Sequence, residues 1–273
     1  MPYITITDGT RIYYTDQGEG RPVLLSHGWP LSSDAWAREI KLIADAGYRA
    51  IAHDRRGHGR SSKTYAGNDL DTHVGDLREL VLTLDLTDLT LIGHGAGAGE
   101  VVRYAARHGQ GRVVSIITVG GVAPLLLQTV TNPDGVPLDA LDAMREAVLE
   151  NASQYWIDLA GPFFGGDRRG ATVTRGDSDD LWRQGQNLNL AAAYDGIRAF
   201  SETDLTDDLR ALEVPVLLAH GADDRIVPSA ATSEIAITLL AQGTLTIYPD
   251  APHGIVGAYR RALDDDIIAF LSS

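Results

Sequence analysis

Cysteine is absent from the chain, which removes disulfides, thiolate catalysis and zinc–thiolate sites from consideration. Lysine is almost as scarce, with Lys41 and Lys63 alone, and 23 basic residues face 37 acidic ones for a formal net charge of -14. Nucleic acid and anionic membrane surfaces reward basic patches, so neither is an expected partner. No apolar run approaches the ~20 residues that a membrane span needs. The opening MPYITITDGT has no basic region, apolar stretch or cleavage site of a secretory leader, from which a cytoplasmic protein is expected. Repeats, low-complexity tracts and charge blocks are also missing, and 273 residues suit a single α/β core carrying an insertion.

What is present alternates between two periods. Tyr3 to Thr7 and Arg11 to Thr15, parted by Asp8-Gly9, predict an opening hairpin. Buried strands are expected at Val23–Leu25, Tyr48–His53, Leu89–Ile92 and Val113–Val119, the last a nearly unbroken β-branched run suited to burial on both faces. Helices are expected from a cap at Ser33 and Asp34 to about Ala46, from Asp69 to Leu86, and from Ala96 to His108. Strands and helices in alternation imply a mostly parallel, right-handed α/β sheet. From Ala123 to Phe200 strand-like runs stop and helical stretches such as Leu138–Asn151 and Ala191–Phe200 take over. The division predicted is a core of residues 1–122 and 201–273 with a helical cap at 123–200. The core resumes with a strand at Val214–Ala219, a helix from Ser229 to Gln242, a strand at Thr244–Tyr248 and a helix from Tyr259 to Leu271.

One stretch organises the chemistry. Leu91 to Gly99, LIGHGAGAG, is a strand followed by a glycine-rich corner and a helix start. G-x-S-x-G marks the sharp turn that lifts a nucleophilic serine to the top of a parallel sheet, but Gly95 stands at the serine position. Gly93-x-Gly95-x-x-Ala98 also fits the dinucleotide fingerprint. That reading fails because several strands precede the loop, and because the next strand ends in Gly120-Gly121 with no acidic residue for a ribose. Two further groups follow later strands: Asp224 in HGADDRIVP, preferred to Asp223, and His253 in PHG. A carboxylate can fix an imidazole's tautomer, and the order elbow, acid, histidine is that of serine hydrolases built on such a sheet. The backbone N–H groups of Ala96 and Trp29 would form the oxyanion hole. The other histidines read as scaffolding (His27, His58), solvated or packing groups (His53, His73, His108) and a strand-end neighbour (His220). His94, beside the elbow, is a candidate for lining the site. The DRRGHGRS loop reads as structural, its charges pairing among themselves.

The motifs HGWPLSSDAW (27–36), AHDRRGHGRSS (52–62), GEVVRYAARHG (99–109), TNPDGVPL (131–138), GPFFG (161–165), FSETDLTDDL (200–209), HGADDRIVP (220–228) and PHG (252–254) together resemble the cofactor-free haloperoxidase, perhydrolase and esterase branch of the α/β-hydrolases. The resemblance spans essentially the whole chain. It implies an eight-stranded, mostly parallel sheet with a helical cap, and a Ser-His-Asp triad that hydrolyses esters and some lactones or lactams. With peroxide such a site makes peracids; neither metal nor haem takes part. Residue by residue it implies Asp224 as acid, His253 as base, Trp29 and Ala96 as oxyanion donors and Gly95 at the nucleophile position. Pro30 resembles an arrangement that favours perhydrolysis. The expected substrate is a small ester or other carbonyl compound, bound in an apolar pocket that draws on Pro30, His94, Leu125, Trp156, Phe163 and Phe164. Homo-oligomers are common in the family, so one is an expected partner state.

A nucleophile in such an elbow sits at positive φ, which costs a side-chain residue about 1 to 3 kcal/mol and glycine little. Losing the hydroxyl therefore spares the fold while removing the nucleophile, whose loss can lower kcat by about a millionfold. Three chemistries stay open: a family esterase disabled at its nucleophile; an enzyme in which His253, oriented by Asp224, activates water or shuttles a proton in an isomerisation, cyclisation or lyase step; and a non-catalytic protein that binds a carbonyl compound.

Overall fold

A computed structural model of the chain describes residues 2–166, 168, 173–255 and 258–273. Eight strands form one sheet in the order β1-β2-β4-β3-β5-β6-β7-β8. β1 (Tyr3–Thr5) and β2 (Arg11–Gln17) form the antiparallel hairpin, and β2 also runs antiparallel to β4 (Arg49–His53). From there β4, β3 (Pro22–Ser26), β5 (Leu89–His94), β6 (Val113–Val119), β7 (Val216–Gly221) and β8 (Gly243–Tyr248) are all parallel. β5 lies at the centre with Leu91 and Ile92 fully buried, so whatever follows it emerges at the middle of the sheet's C-terminal edge, where ligand sites of open parallel sheets gather.

Helices cover both faces. On one face α2 (Leu70–Thr83) and α3 (Ala96–His108) pack with α7 (Thr206–Arg210) and α8 (Ser233–Leu239); on the other lie α1 (Ala37–Asp45) and α9 (Ala258–Leu271). α2 starts where the Asp69 carboxylate accepts from the Thr72 N–H at 2.8 Å, satisfying one of the unpaired donors of a first turn. Its Leu70, Val74, Leu77, Leu80 and Val81 are buried, each contributing about 1.5–3 kcal/mol through removal from water.

Between β6 and β7 come α4 (Leu138–Phe164), α5 (Arg175–Gly185) and α6 (Leu190–Ser201). α4 is two helices in sequence: Asn151 leaves helical geometry (φ −159°, ψ 83°) and its side chain accepts from the Gln154 N–H, capping the second segment. Apolar residues of these helices, among them Leu141, Val148, Trp156, Leu159, Phe163 and Ile197, share one cluster with Trp29 and Leu31 of the loop after β3. α6 is also fastened to the loop after β4. The Asn189 N–H donates to the Gly57 carbonyl at 2.9 Å, its side-chain amide to the Thr64 carbonyl at 2.9 Å, and the Lys63 ammonium to the Asn187 carbonyl at 2.5 Å.

Three sequence expectations change. Ser32, not Ser33, caps the turn Ser33–Trp36 that leads into α1; the Ser33 hydroxyl instead donates to Asp54. The helix expected from Ser229 to Gln242 is a short turn at Ser229–Ala231 and α8, divided at Thr232 (φ −130°, ψ −88°). The charges of the DRRGHGRS loop do not pair mainly among themselves. Arg55 pairs with Glu100, and Arg56 with Asp76 and Asp8, while Arg60–Asp54 is internal to the loop.

Candidate active site

At the end of β5 the chain turns through Gly95 at φ 52°, ψ −115° and enters α3 at Ala96. The turn is pinned from both sides, the Gly95 N–H donating to the Val119 carbonyl and the Ala98 N–H to the Gly95 carbonyl. This conformation disfavours a Cβ, yet it aims position 95 at His253. A Cβ built on Gly95 would stand 3.1 Å from His253 Nε2 and 3.7 Å from the Gly28 Cα.

Asp224 follows β7 in a tight turn. One carboxylate oxygen accepts from the Ile226 and Val227 N–H groups at 2.9 and 2.7 Å. The other accepts from His253 Nδ1 at 2.7 Å and lies 3.3 Å from His220 Nε2. Burial alone would raise the Asp224 carboxyl, but His253 and His220 outweigh it and hold it well below the usual carboxylate range. Because Nδ1 donates to the carboxylate, Nε2 of neutral His253 carries the lone pair and faces Gly95. The His253 ring is 3% exposed, with the Phe163 ring at 5.0 Å and the His94 ring at 4.6 Å between centroids.

Sequence reasoning missed two contributors. His220 is a second imidazole on the same carboxylate, its Nε2 also donating to the Val227 carbonyl and its Nδ1 paired with the Ser233 hydroxyl. The four-residue spacing to Asp224 was its only signal. Gly120, at φ 54° after β6, leaves room for the pair: a Cβ there would lie 3.1 Å from His253 Nδ1 and 3.3 Å from Asp224 Oδ2. The Gly120-Gly121 pair had served only to reject a ribose site. Asp223 turns away from this cluster and pairs with Arg225 and Arg168.

Ala96 opens α3, and Trp29 lies in the loop after β3. Among the described residues neither backbone N–H has a hydrogen-bond partner. At a helix start such a donor favours developing negative charge. The Trp29 ring meets Trp156 edge-on at 5.1 Å and a tilted Phe200 ring at 5.5 Å between centroids.

The six residues expected to line a pocket do not gather as one set. His94, Phe163 and Phe164 line a cavity of about 330 Å³ that also touches Gly28, Trp36 and Gly254. His94 also donates from Nε2 to the His253 carbonyl at 3.2 Å; burial, and then His253, push its pKa down to about 3. Trp156 instead backs Trp29, and Pro30 and Leu125 are not among the cavity's described lining. The half-buried Leu125 accepts from the Asn132 side chain through its carbonyl. Among the described residues no three His, Asp or Glu side chains are grouped to hold a metal ion, and no helix is long and apolar enough to cross a membrane.

Behind the elbow lies a second buried polar group. Glu100 of α3 accepts from Ser26, from Arg55 at 3.1 Å and from His53 at 3.3 Å. Burial alone would raise it, but His53 and Arg55 hold it well below the usual carboxylate range. His53 and His73 are buried, which selects packing over solvation among the alternatives expected for them. His27 and His58 are buried in the loop as expected, with burial and then Arg55 driving both pKa values well down.

The sequence profile of the alpha/beta hydrolase fold family matches residues 21–256. A non-heme haloperoxidase of Rhodococcus erythropolis is 48% identical, with all of both chains covered. A bifunctional esterase/perhydrolase of Acinetobacter calcoaceticus is 39% identical over the full length of each. A bromoperoxidase from Bacillus anthracis superposes with a TM-score of 0.93 at 30% identity, covering 97% of this chain and 96% of that one. This chain is an enzyme of the α/β-hydrolase class. Within that class it belongs to the family of non-heme haloperoxidases and esterase/perhydrolases.

Proposed function

We propose that the site takes small esters or lactones, with the covalent acyl-enzyme route of the family closed at Gly95. His253 and Asp224 remain able to drive direct attack by water. The observation that carries this reading is the aim of His253 Nε2 at the side-chain space of position 95, 3.1 Å from a Cβ built there. The base keeps the orientation a serine would need, and a water standing in the same space takes the serine's role. Its oxygen adds to the carbonyl carbon as His253 Nε2 accepts the proton. The Trp29 and Ala96 N–H groups stabilise the oxyanion. Collapse expels the alkoxide, which takes the proton back from the imidazolium. Perhydrolysis by way of an acyl-enzyme needs a hydroxyl at position 95. In this reading residues 1–122 and 201–273 are the catalytic core, and 123–200 a helical cap over Trp29.

Installing serine tests the first half. Gly95→Ser is expected to gain several orders of magnitude in 4-nitrophenyl acetate hydrolysis, since losing such a nucleophile costs about a millionfold in kcat. A folded variant with no gain sinks the proposal that the rest of the triad is competent. Water activation is tested by His253→Ala in the native chain: residual ester turnover is expected to vanish, and unchanged turnover refutes His253 as base.

A further inference from the structure

Behind the elbow, between α2, α3 and α6, lies a small chamber lined by Trp29, His58, His73, Ala96, Glu100 and Gly196, together with Arg55 and neighbouring apolar residues. Its volume of about 20 Å³ exceeds the roughly 10–15 Å³ that one water molecule requires. Three buried polar atoms of its walls have no partner among the described residues: Trp29 Nε1, His58 Nε2 and His73 Nε2. Their chemistry is complementary. The indole N–H can only donate. His58 Nδ1 lies 2.9 Å from the Arg56 carbonyl, which can only accept, so Nδ1 carries the hydrogen and Nε2 is a bare acceptor. Gly196 keeps the space open, since a Cβ there would stand 3.2 Å from Trp29 Cδ1 and 3.3 Å from Nε1.

We propose that this chamber is a binding site for a single internal water that accepts from Trp29 Nε1, donates to His58 Nε2 and bonds His73 Nε2, tying the Trp29 ring to α2 and to the loop after β4. His58 and His73 are thereby positioning residues for Trp29. Both are held neutral, His58 well below the ordinary histidine range and His73 at about 4, by burial and then Arg55, so the pattern of donors and acceptors is constant at neutral pH. The chamber shares Trp29 and Ala96 with the oxyanion hole. Its catalytic consequence rests on the proposed role of those two N–H groups: the water sets the position of the residue whose backbone stabilises the oxyanion.

A high-resolution crystal structure of the native chain decides the site. The expected result is a water peak about 2.7–3.2 Å from both Trp29 Nε1 and His58 Nε2; an empty chamber, or a water that touches neither atom, overturns the proposal. The positioning role is read in the Gly95→Ser background. There Gly196→Ala pushes a methyl group toward the indole and His73→Leu removes one anchor. Each is expected to lower kcat for 4-nitrophenyl acetate about tenfold, a fraction of what losing an oxyanion donor costs, with KM within about twofold, and His73→Gln is expected to restore most of the loss. Equal KM and kcat effects, or no rescue by glutamine, overturn the positioning role. If Gly95→Ser shows no esterase activity, the acyl-transfer reading fails while the density still decides the water site.

Discussion

Asp224 and Glu100 are two buried carboxylates of one fold, both kept ionised against their burial, and they differ in what they leave free. Glu100 is enclosed by Ser26, His53 and Arg55, and what it holds is the packing of β3, β4 and α3. Asp224 is enclosed as thoroughly, by two backbone N–H groups, His253 and His220. Yet its main partner has a second nitrogen directed at position 95. A buried charge becomes chemistry when one of its partners retains an unspent lone pair on the open side; otherwise it is architecture.

The sharpest test of that contrast is Asp224→Asn in the Gly95→Ser background. It is expected to cut kcat of the folded protein about 10⁴-fold by releasing the wrong histidine tautomer, beyond whatever stability the lost carboxylate takes with it; a loss confined to stability would break the comparison. Glu100→Ala is its mirror image. It leaves Arg55 buried without its carboxylate, a change worth about 3–5 kcal/mol of stability in urea unfolding, and the folded fraction of the same background is expected to lose far less kcat than Asp224→Asn does.

Acid tests the rear group by sign. His73 is held neutral with a pKa near 4, whereas in the unfolded chain it titrates near 6.5. Between those values the unfolded state binds the extra proton, so stability falls as pH drops from about 6.5 to about 4. That amounts to on the order of 3 kcal/mol from this residue. The carboxylates act later: Glu100 and Asp224 contribute stability above their unfolded values, about 4, and lose it only as pH falls through their depressed folded ones. His73→Gln is expected to remove its part of the early slope in unfolding free energy measured against pH; an unchanged slope would show that the rear cluster does not exclude protons. The smallest effect is expected from Gly95→Ala, which costs about 1–3 kcal/mol for a Cβ at φ 52°, ψ −115° and should appear as a modest shift of the urea midpoint.

The sequence made legible what is local. The elbow, the Asp224 turn and the His253 turn each sit just past a strand whose apolar run announces it, and the order of strands and helices implied the parallel sheet. Partnerships that cross the sheet were illegible. Arg55 looked paired within its own loop because Asp54 is adjacent, while its true partner, Glu100, lies 45 residues on. His220 was read correctly as a strand end, but the four-residue spacing alone does not show that its imidazole reaches the Asp224 carboxylate. The break in α4 at Asn151 coincides with the end of the helical stretch expected at Leu138–Asn151, while the segment beyond it had no bounds of its own in the sequence.

One attachment bears on how the helices over Trp29 are held. The segment leading into α6 is fastened to the core loop by Asn189 at Gly57 and Thr64, and by Lys63 at Asn187. α5 and the end of α4 are fastened as well, Gln184 accepting from the Ser32 N–H and hydroxyl at 3.0 Å and the Phe163 carbonyl from the Gly254 N–H at 2.7 Å, so the helices over Trp29 are pinned at several places rather than hung from one. The scarce lysine of this chain thus has a mechanical part: Lys63 is one of the pins that hold that layer shut.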